Sequence, residues 1–248
     1  HMILLDEFIH LNVSEEFYKL FEVVIQLGAI LAVVIIYFKT ICPWGFGKTK
    51  EDTKETLNLW GKILVACIPA AIIGILFDDW LDEHLYNGIV VALALIVYGI
   101  AFIVIESKNI GSRDTKKLSD ITYKQAVSVG AFQLLSLVPG TSRSGSTILG
   151  GLAVGLERST ASKFTFFLAI PVMAGASLLK LLKYIMKVGF VFNANELIIL
   201  GVGCLVSFIV SILVIRFLMN YIRKHDFKVF GYYRIVLGII VLLYFFIK

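Results

Sequence analysis

Residues Tyr123–Leu156 read YKQAVSVGAFQLLSLVPGTSRSGSTILGGLAVGL, and the fold turns on them. The stretch opens apolar, with Ala126, Val127, Val129, Ala131, Phe132, Leu134, Leu135, Leu137 and Val138. It breaks at Pro139-Gly140-Thr141-Ser142-Arg143-Ser144-Gly145 and resumes with Ile148, Leu149, Leu152, Ala153 and Val154. Each half has about 10–15 residues, whereas a membrane-spanning helix takes about 20. The expectation is two half-helices around a polar turn, a re-entrant hairpin. Such backbone persists at membrane depth only where it is buried in protein or lines a wet cavity.

The rest of the chain supplies the membrane segments. Of 248 residues, 58% are hydrophobic and 17% charged, and the mean hydropathy is +0.88. Soluble domains carry about a quarter charged residues, so a disordered chain, a secreted disulfide scaffold and an ordinary soluble globule are excluded. Six spans are expected: A, Phe17–Phe38; B, Leu59–Phe77; C, Asn87–Ile105; D, Ser159–Tyr184; E, Glu196–Leu218; and F, Phe230–Ile247. The reading is an all-α integral membrane protein, one polytopic domain over residues 1–248. Cys42, Cys67 and Cys204 form no metal-ligand spacing and read as small core residues. His1-Met2 opens the chain with no basic region, so no cleavable signal is expected.

The net charge of +5 is a topology signal and does not point to nucleic acid, because the bases cluster in loops. Lys39, Lys48, Lys50 and Lys54 follow span A. Lys108, Arg113, Lys116, Lys117 and Lys124 follow span C, and Arg223, Lys224 and Lys228 follow span E. The loop between B and C is acidic, with Asp78, Asp79, Asp82 and Glu83. The positive-inside rule puts the basic loops in the cytoplasm and the acidic loop outside. The hairpin then enters and leaves on the cytoplasmic side, next to Arg158. Lys180, Lys183 and Lys187 fall outside, against the rule.

The halves resemble each other weakly. Phe21–Ala29 parallels Phe164–Val172, spans B and E share small residues, and C and F follow in order. Three spans per half would invert the second copy, giving interleaved inverted-topology repeats. Repeat one covers about 1–106, a cytoplasmic loop 107–122, and repeat two 123–248. The hairpin opening repeat two has no full counterpart before span A, so the first hairpin is expected to be missing.

The turn is the strongest candidate site. A charge at membrane depth is a functional-site hypothesis by default. Ser142 or Thr141 can cap a helix starting near Arg143 or Ser144, whose free N–H groups and guanidinium attract an anion. Arg matches phosphate oxygens in a bidentate fork. Gly140, Thr141, Gly145 and Thr147 complete a candidate phosphate cradle. The competing reading is a structural turn with Arg143 on carbonyls or a carboxylate. Glu22 and Gln26 lie at i, i+4 on one face of span A and are candidate supporting residues. The alternative there is a snorkelling interfacial glutamate. His1 is ambiguous: His1-Met2 also reads as a cloning scar. Asp6, Glu7, Glu15 and Glu16 read as a solvated acidic rim.

At this point the residues become recognisable. Ser136–Gly151 resembles the Pro-Gly-x-Ser-Arg-Ser-Gly signature of the bacterial undecaprenyl-diphosphate phosphatases, the bacitracin-resistance family. Phe21–Gly28 looks like that family's first conserved span, and Phe164–Pro171 like its repeat partner. The resemblance covers essentially the whole chain. It implies interleaved inverted repeats with two re-entrant hairpins in a multi-pass protein of the bacterial inner (plasma) membrane. It implies hydrolysis of a C55 polyprenyl diphosphate to the monophosphate and phosphate, recycling the carrier for cell-wall glycans. Arg143 matches the family's phosphate-binding arginine, Ser142 and Ser144 its flanking hydroxyls, and Thr147 a hydroxyl one turn on. The family places a Glu-Gly-x-Thr-Glu-Phe-Leu-Pro-x-Ser-Ser-Thr-Gly-His motif in its first hairpin. This chain opens where that motif ends, which makes His1 the motif histidine and leaves the motif's carboxylates absent.

On this reading, Arg143 and the helix start at Ser144 bind the terminal phosphoryl. A hydroxyl or His1 attacks, or a carboxylate activates water, and the absent carboxylates bind Mg²⁺ or Ca²⁺. The partners are the polyprenyl diphosphate and the bilayer, with a homodimer one admissible assembly. The competing class is a lipid-phosphate transporter that uses the same anion site without chemistry.

Overall fold

Apolar segments without water to serve their peptide groups satisfy them within helices. The computed structural model describes residues 11–247, except 46, 86, 112, 190 and 191, and only the backbone of residues 78–83. Six helices among the described residues are long and apolar enough to cross a membrane. Each overlaps one of the spans A to F. No β-strand occurs among the described residues, apart from one isolated bridge between Thr115 and Leu156.

Span A is two helices, α1 (Glu15–Val24) and α2 (Gln26–Ile36), parted at Ile25. The short α3 (Phe38–Ile41) follows. Span B is α4 (Lys50–Leu85), span C is α5 (Gly88–Ser107), and α6 (Tyr123–Leu134) begins the hairpin. A 3₁₀ turn (Leu135–Leu137) and a short loop lead to α7 (Arg143–Ala153). Spans D, E and F are α8 (Arg158–Val188), α9 (Ala194–Ile222) and α10 (Lys228–Ile247).

The structure corrects span B. Its helix starts well before Leu59 and ends beyond Phe77, because the charged flanks also favour helix. A local cap fixes its start: Thr49 N donates to Asp52 Oδ2 at 2.9 Å, and Asp52 N donates to Thr49 Oγ1 at 3.2 Å. The segment expected as an acidic loop is therefore helical backbone through Leu85.

Helix α5 packs along α10, where Gly99 and Gly231 abut: a Cβ on either would meet the other's carbonyl at 2.7 Å. Helix α2 lies along α9, α4 along α6, and α8 contacts α1, α2 and α4. The core gathers Ile63, Ala66, Leu152, Phe164, Phe167 and Leu168. Helix α9 is peripheral, with only 6% of its most apolar window buried. Its Leu213 and Phe217 point outward, as lipid-facing side chains do.

One end of the bundle is tied by a carboxylate. Glu106, its side chain fully buried, accepts from Arg113 Nη2 at 2.8 Å and from Arg158 Nη2 at 2.6 Å. It also accepts from the Phe227 amide at 3.2 Å. This joins the end of α5 and the loop that follows it to the starts of α8 and α10.

The hairpin's open ends meet beside this tie. Thr122 and Gln125 form a capping box on α6. Gln125 Nε2 also donates to the Val154 carbonyl, at 3.0 Å, at the far end of α7. With 12 and 11 residues, the two helices reach about 18 and 16 Å at 1.5 Å per residue. That is well short of a hydrocarbon core about 30 Å thick.

Candidate active site

The hairpin tip is built by three local devices. Gly140 takes φ +91° and lies against Val91 of α5, where a Cβ would come 2.6 Å from the Val91 carbonyl oxygen. Only glycine meets both demands. Ser142 takes φ +68° although it carries a side chain, a strained conformation that costs about 1–3 kcal/mol and gathers at functional sites. Its Oγ accepts from the Gly145 amide at 3.3 Å, capping α7. Thr141 Oγ1 donates to the Val138 carbonyl at 2.8 Å and closes the turn.

The tip is also clamped from outside. Arg234 of α10 is buried, and its Nη2 donates to the carbonyls of Gly140 and Thr141, at 2.7 Å each. Its guanidinium carbon lies 5.7 Å from the centre of the Tyr98 ring. The arginine that holds the turn's carbonyls is therefore Arg234, and Arg143 is left for another task.

Arg143 is the first residue of α7. Its backbone N–H and that of Ser144 belong to the helix's first turn and have no acceptor within the helix. The Arg143 Nη1 is buried and has no hydrogen-bond partner among the described residues. The side chain lines a groove of about 460 Å³ between α4, the hairpin and α8. Cys67, Ala70 and Gly74 form one wall, and Pro171 and Ala176 the other. Gln133 and Ser136 share the Arg143 end, and Lys180 and Lys183 also line the groove. Those two lysines line a second, smaller cavity together with Lys19 and Lys187. The groove is thus mainly apolar, with Gln133, Ser136, Arg143, Lys180 and Lys183 as its polar lining.

The other expected residues fall around this centre. Gly140, Thr141 and Gly145 shape the tip. Ser142 is exposed and Ser144 half-buried beside Arg143. Thr147 is buried; its Oγ1 donates to the Arg143 carbonyl at 3.0 Å and accepts from Thr165 Oγ1 at 3.0 Å. That arrangement ties α7 to α8. Glu22 and Gln26 do not line the Arg143 groove. The Gln26 Nε2 turns back along its own helix to the Glu22 carbonyl, at 3.1 Å. His1, Asp6 and Glu7 lie outside the described residues.

Sequence reading missed Arg234 and Gln133. The signal for Arg234 was a lone charge inside an apolar span, itself a marker of a buried contact. For Gln133 it was an amide inside the apolar first half of the hairpin. In the structure Gln133 is 1% exposed, and neither Oε1 nor Nε2 has a partner among the described residues. An unpaired buried polar group costs about 1–3 kcal/mol. For Lys180 and Lys183 the signal was present as a violation of the positive-inside rule.

The expected divalent cation finds no ligand set here. Among the described residues no three His, Cys, Asp or Glu side chains gather where a metal could sit.

Comparison with known proteins identifies the family. Residues 1–240 match the family described as bacitracin resistance protein BacA. The chain is 55% identical over 246 residues to an undecaprenyl-diphosphatase of Enterococcus faecalis, covering 98% of this chain and 88% of that protein. It is 56% identical over 247 residues to undecaprenyl-diphosphatase 1 of Clostridioides difficile, covering 100% and 88%. A third relative, an undecaprenyl-diphosphatase of Acetivibrio thermocellus, is 53% identical over 246 residues, covering 99% and 89%. With matches of this length and identity, the chain belongs to the bacitracin resistance protein BacA family.

Proposed function

We propose that the Arg143 groove is where this chain hydrolyses undecaprenyl diphosphate to undecaprenyl phosphate and inorganic phosphate. The reaction recycles the lipid carrier for peptidoglycan synthesis and confers resistance to bacitracin. One observation carries the site assignment: a buried guanidinium nitrogen without a partner among the described residues, at a helix start, on a residue that lines a mainly apolar groove. That combination suits a ligand with a charged phosphate head and a hydrocarbon tail.

The chemistry follows from the donors. Arg143 Nη1 and the N–H groups of Arg143 and Ser144 donate to oxygens of the terminal phosphoryl, where charge grows in the transition state. Water attacks that phosphorus, the bond to the bridging oxygen breaks, and the lipid keeps the proximal phosphate. The tail lies along the apolar walls and needs no polar contact. A divalent cation, Mg²⁺ or Ca²⁺, is part of the family expectation, and the described residues form no ligand set for it.

In the membrane we place the Glu106 tie on the cytoplasmic side and the Lys180 end of the groove on the outer side of the bacterial plasma membrane. By helical rise, Val91 lies about 22 Å along α5 from Glu106. A hairpin tip touching Val91 is therefore deep, which supports a re-entrant reading. The packing supports the inverted repeat as well: exchanging A with D, B with E and C with F turns the α2–α9 contact into α8–α4 and leaves α5–α10 unchanged.

The test is phosphate release from undecaprenyl diphosphate by the purified protein and its Arg143→Ala variant. The variant is expected to lose at least about 10²–10³-fold in kcat with unchanged thermal stability. Turnover near the wild-type rate would remove Arg143 from the site. The transporter reading has no support from the relatives, which carry a hydrolase name. Tight lipid binding by the wild type with no phosphate release would restore it.

A further inference from the structure

Gln133 is the last residue but one of α6, on the face that meets α4. Gly130, one turn earlier, is pressed against the Ala66 carbonyl so closely that a Cβ would clash with it. Positions three apart share a helix face, so the contact that seats Gly130 also carries Gln133 to the wall where Cys67 follows Ala66. Gln133, Cys67 and Arg143 all line the same groove. An amide buried for structural reasons holds a neighbour's polar group. The Gln133 amide holds none among the described residues, on either its donor or its acceptor side. The nearby Ser136 hydroxyl donates instead to the Gln133 backbone carbonyl, at 2.6 Å. Two residues lining one mainly apolar groove, Arg143 and Gln133, therefore carry buried polar groups without a partner among the described residues, a guanidinium nitrogen and a whole carboxamide.

We propose that Gln133 is a further substrate-contacting residue of this site, its Nε2 donating to a phosphoryl oxygen held by Arg143 and its Oε1 accepting from the attacking water. The inference rests on the phosphatase reading. A carboxamide suits the role because it offers a donor and an acceptor on one rigid plane. Its acceptor aims the water's lone pair at phosphorus, and its donor meets the charge that grows on the phosphoryl oxygens. A glutamine orients the attacking water in GTP hydrolysis. The amide takes up no proton; the water's proton leaves with bulk solvent or phosphate.

The experiment compares wild type with Gln133→Leu in kcat and KM for undecaprenyl diphosphate, in thermal unfolding, and in labelling of Cys67 by a methanethiosulfonate reagent with and without inorganic pyrophosphate. Leucine keeps the volume and deletes only the polar atoms. The expected result is a fall in kcat of about 100-fold, the scale of losing one transition-state donor. KM should change less than threefold, and the melting temperature should be equal or higher, since an unpaired amide has been removed. Pyrophosphate should protect Cys67 in the wild type and protect it at least fivefold less in the variant. A kcat within threefold of wild type overturns the proposal. So does a loss of activity that comes with a lower melting temperature, because the amide would then be a packing element. A wild type that releases no phosphate instead refutes the phosphatase reading itself, so the two failures are distinguishable.

Discussion

Arg234→Met tests whether the hairpin tip is held open for substrate by a residue that never touches it. Arg234 Nη2 makes two bonds of 2.7 Å to tip carbonyls. Hydrogen bonds from a charged donor contribute about 1.5–3 kcal/mol each, so the substitution removes about 3–6 kcal/mol from the clamp. Methionine keeps an unbranched stem beside Tyr98, so packing loss is small. Against the clamp stands the strain at Ser142, about 1–3 kcal/mol for a side-chain-bearing residue at φ +68°. Without Arg234 that strain relaxes and Arg143 leaves its alignment. A net loss of about 3 kcal/mol is about two decades in an equilibrium. Hydrogen exchange by mass spectrometry in lipid nanodiscs should therefore show peptides over residues 136–147 losing about 100-fold protection. Peptides over Gln125 and Val154, at the hairpin base, should be unchanged. Phosphate release should fall by a similar factor, with Arg234→Lys in between. Tip peptides that exchange at the wild-type rate, or full turnover in Arg234→Met, would refute the clamp.

Replacing both Lys180 and Lys183 with Gln should raise KM about tenfold at low ionic strength and leave kcat alone. The difference should shrink in high salt, because screening shortens the reach of surface charge; kinetics at two salt concentrations decide it. Glu106→Ala strands two guanidinium groups at the bundle end, a loss of about 3–5 kcal/mol for a broken buried pair, and thermal unfolding in detergent should fall by several degrees. Gly130→Ala forces α6 away from Ala66 and should cost about 1–3 kcal/mol as overpacking, with kcat falling alongside stability.

The six spans were legible because hydrocarbon leaves the backbone few options and run length reports the helix directly. The hairpin was legible for the opposite reason, since Pro139–Gly145 interrupts an apolar run too short to cross on either side. Arg143 stood out as a charge among glycines and hydroxyls, the pattern expected of an anion site. The extent of α4 was hidden because Lys50–Asn58 and Asp78–Leu85 are charged, and charge marks a membrane boundary without ending a helix. Arg234 and Gln133 were hidden because a single polar residue in an apolar run announces a buried contact and not its address. That address depends on how α10 crosses α5 and how α6 seats on α4, which is decided by glycine contacts between segments far apart in sequence. Lys180 and Lys183, which ran against the expected orientation, line the groove.

The two ends of the hairpin are secured by residues made at very different times. Its base closes on itself, through Gln125 and Val154, as soon as both short helices exist. Its tip waits for Arg234, 94 residues beyond Gly140. At a synthesis rate of about 5–20 residues per second, that is a delay of roughly 5–20 s, in which Arg143 has a helix to start but no fixed direction. The ribosome therefore finishes the hairpin well before it finishes the site. A chain released short of α10 would carry every residue of the signature and lack the arrangement that gives the signature its meaning.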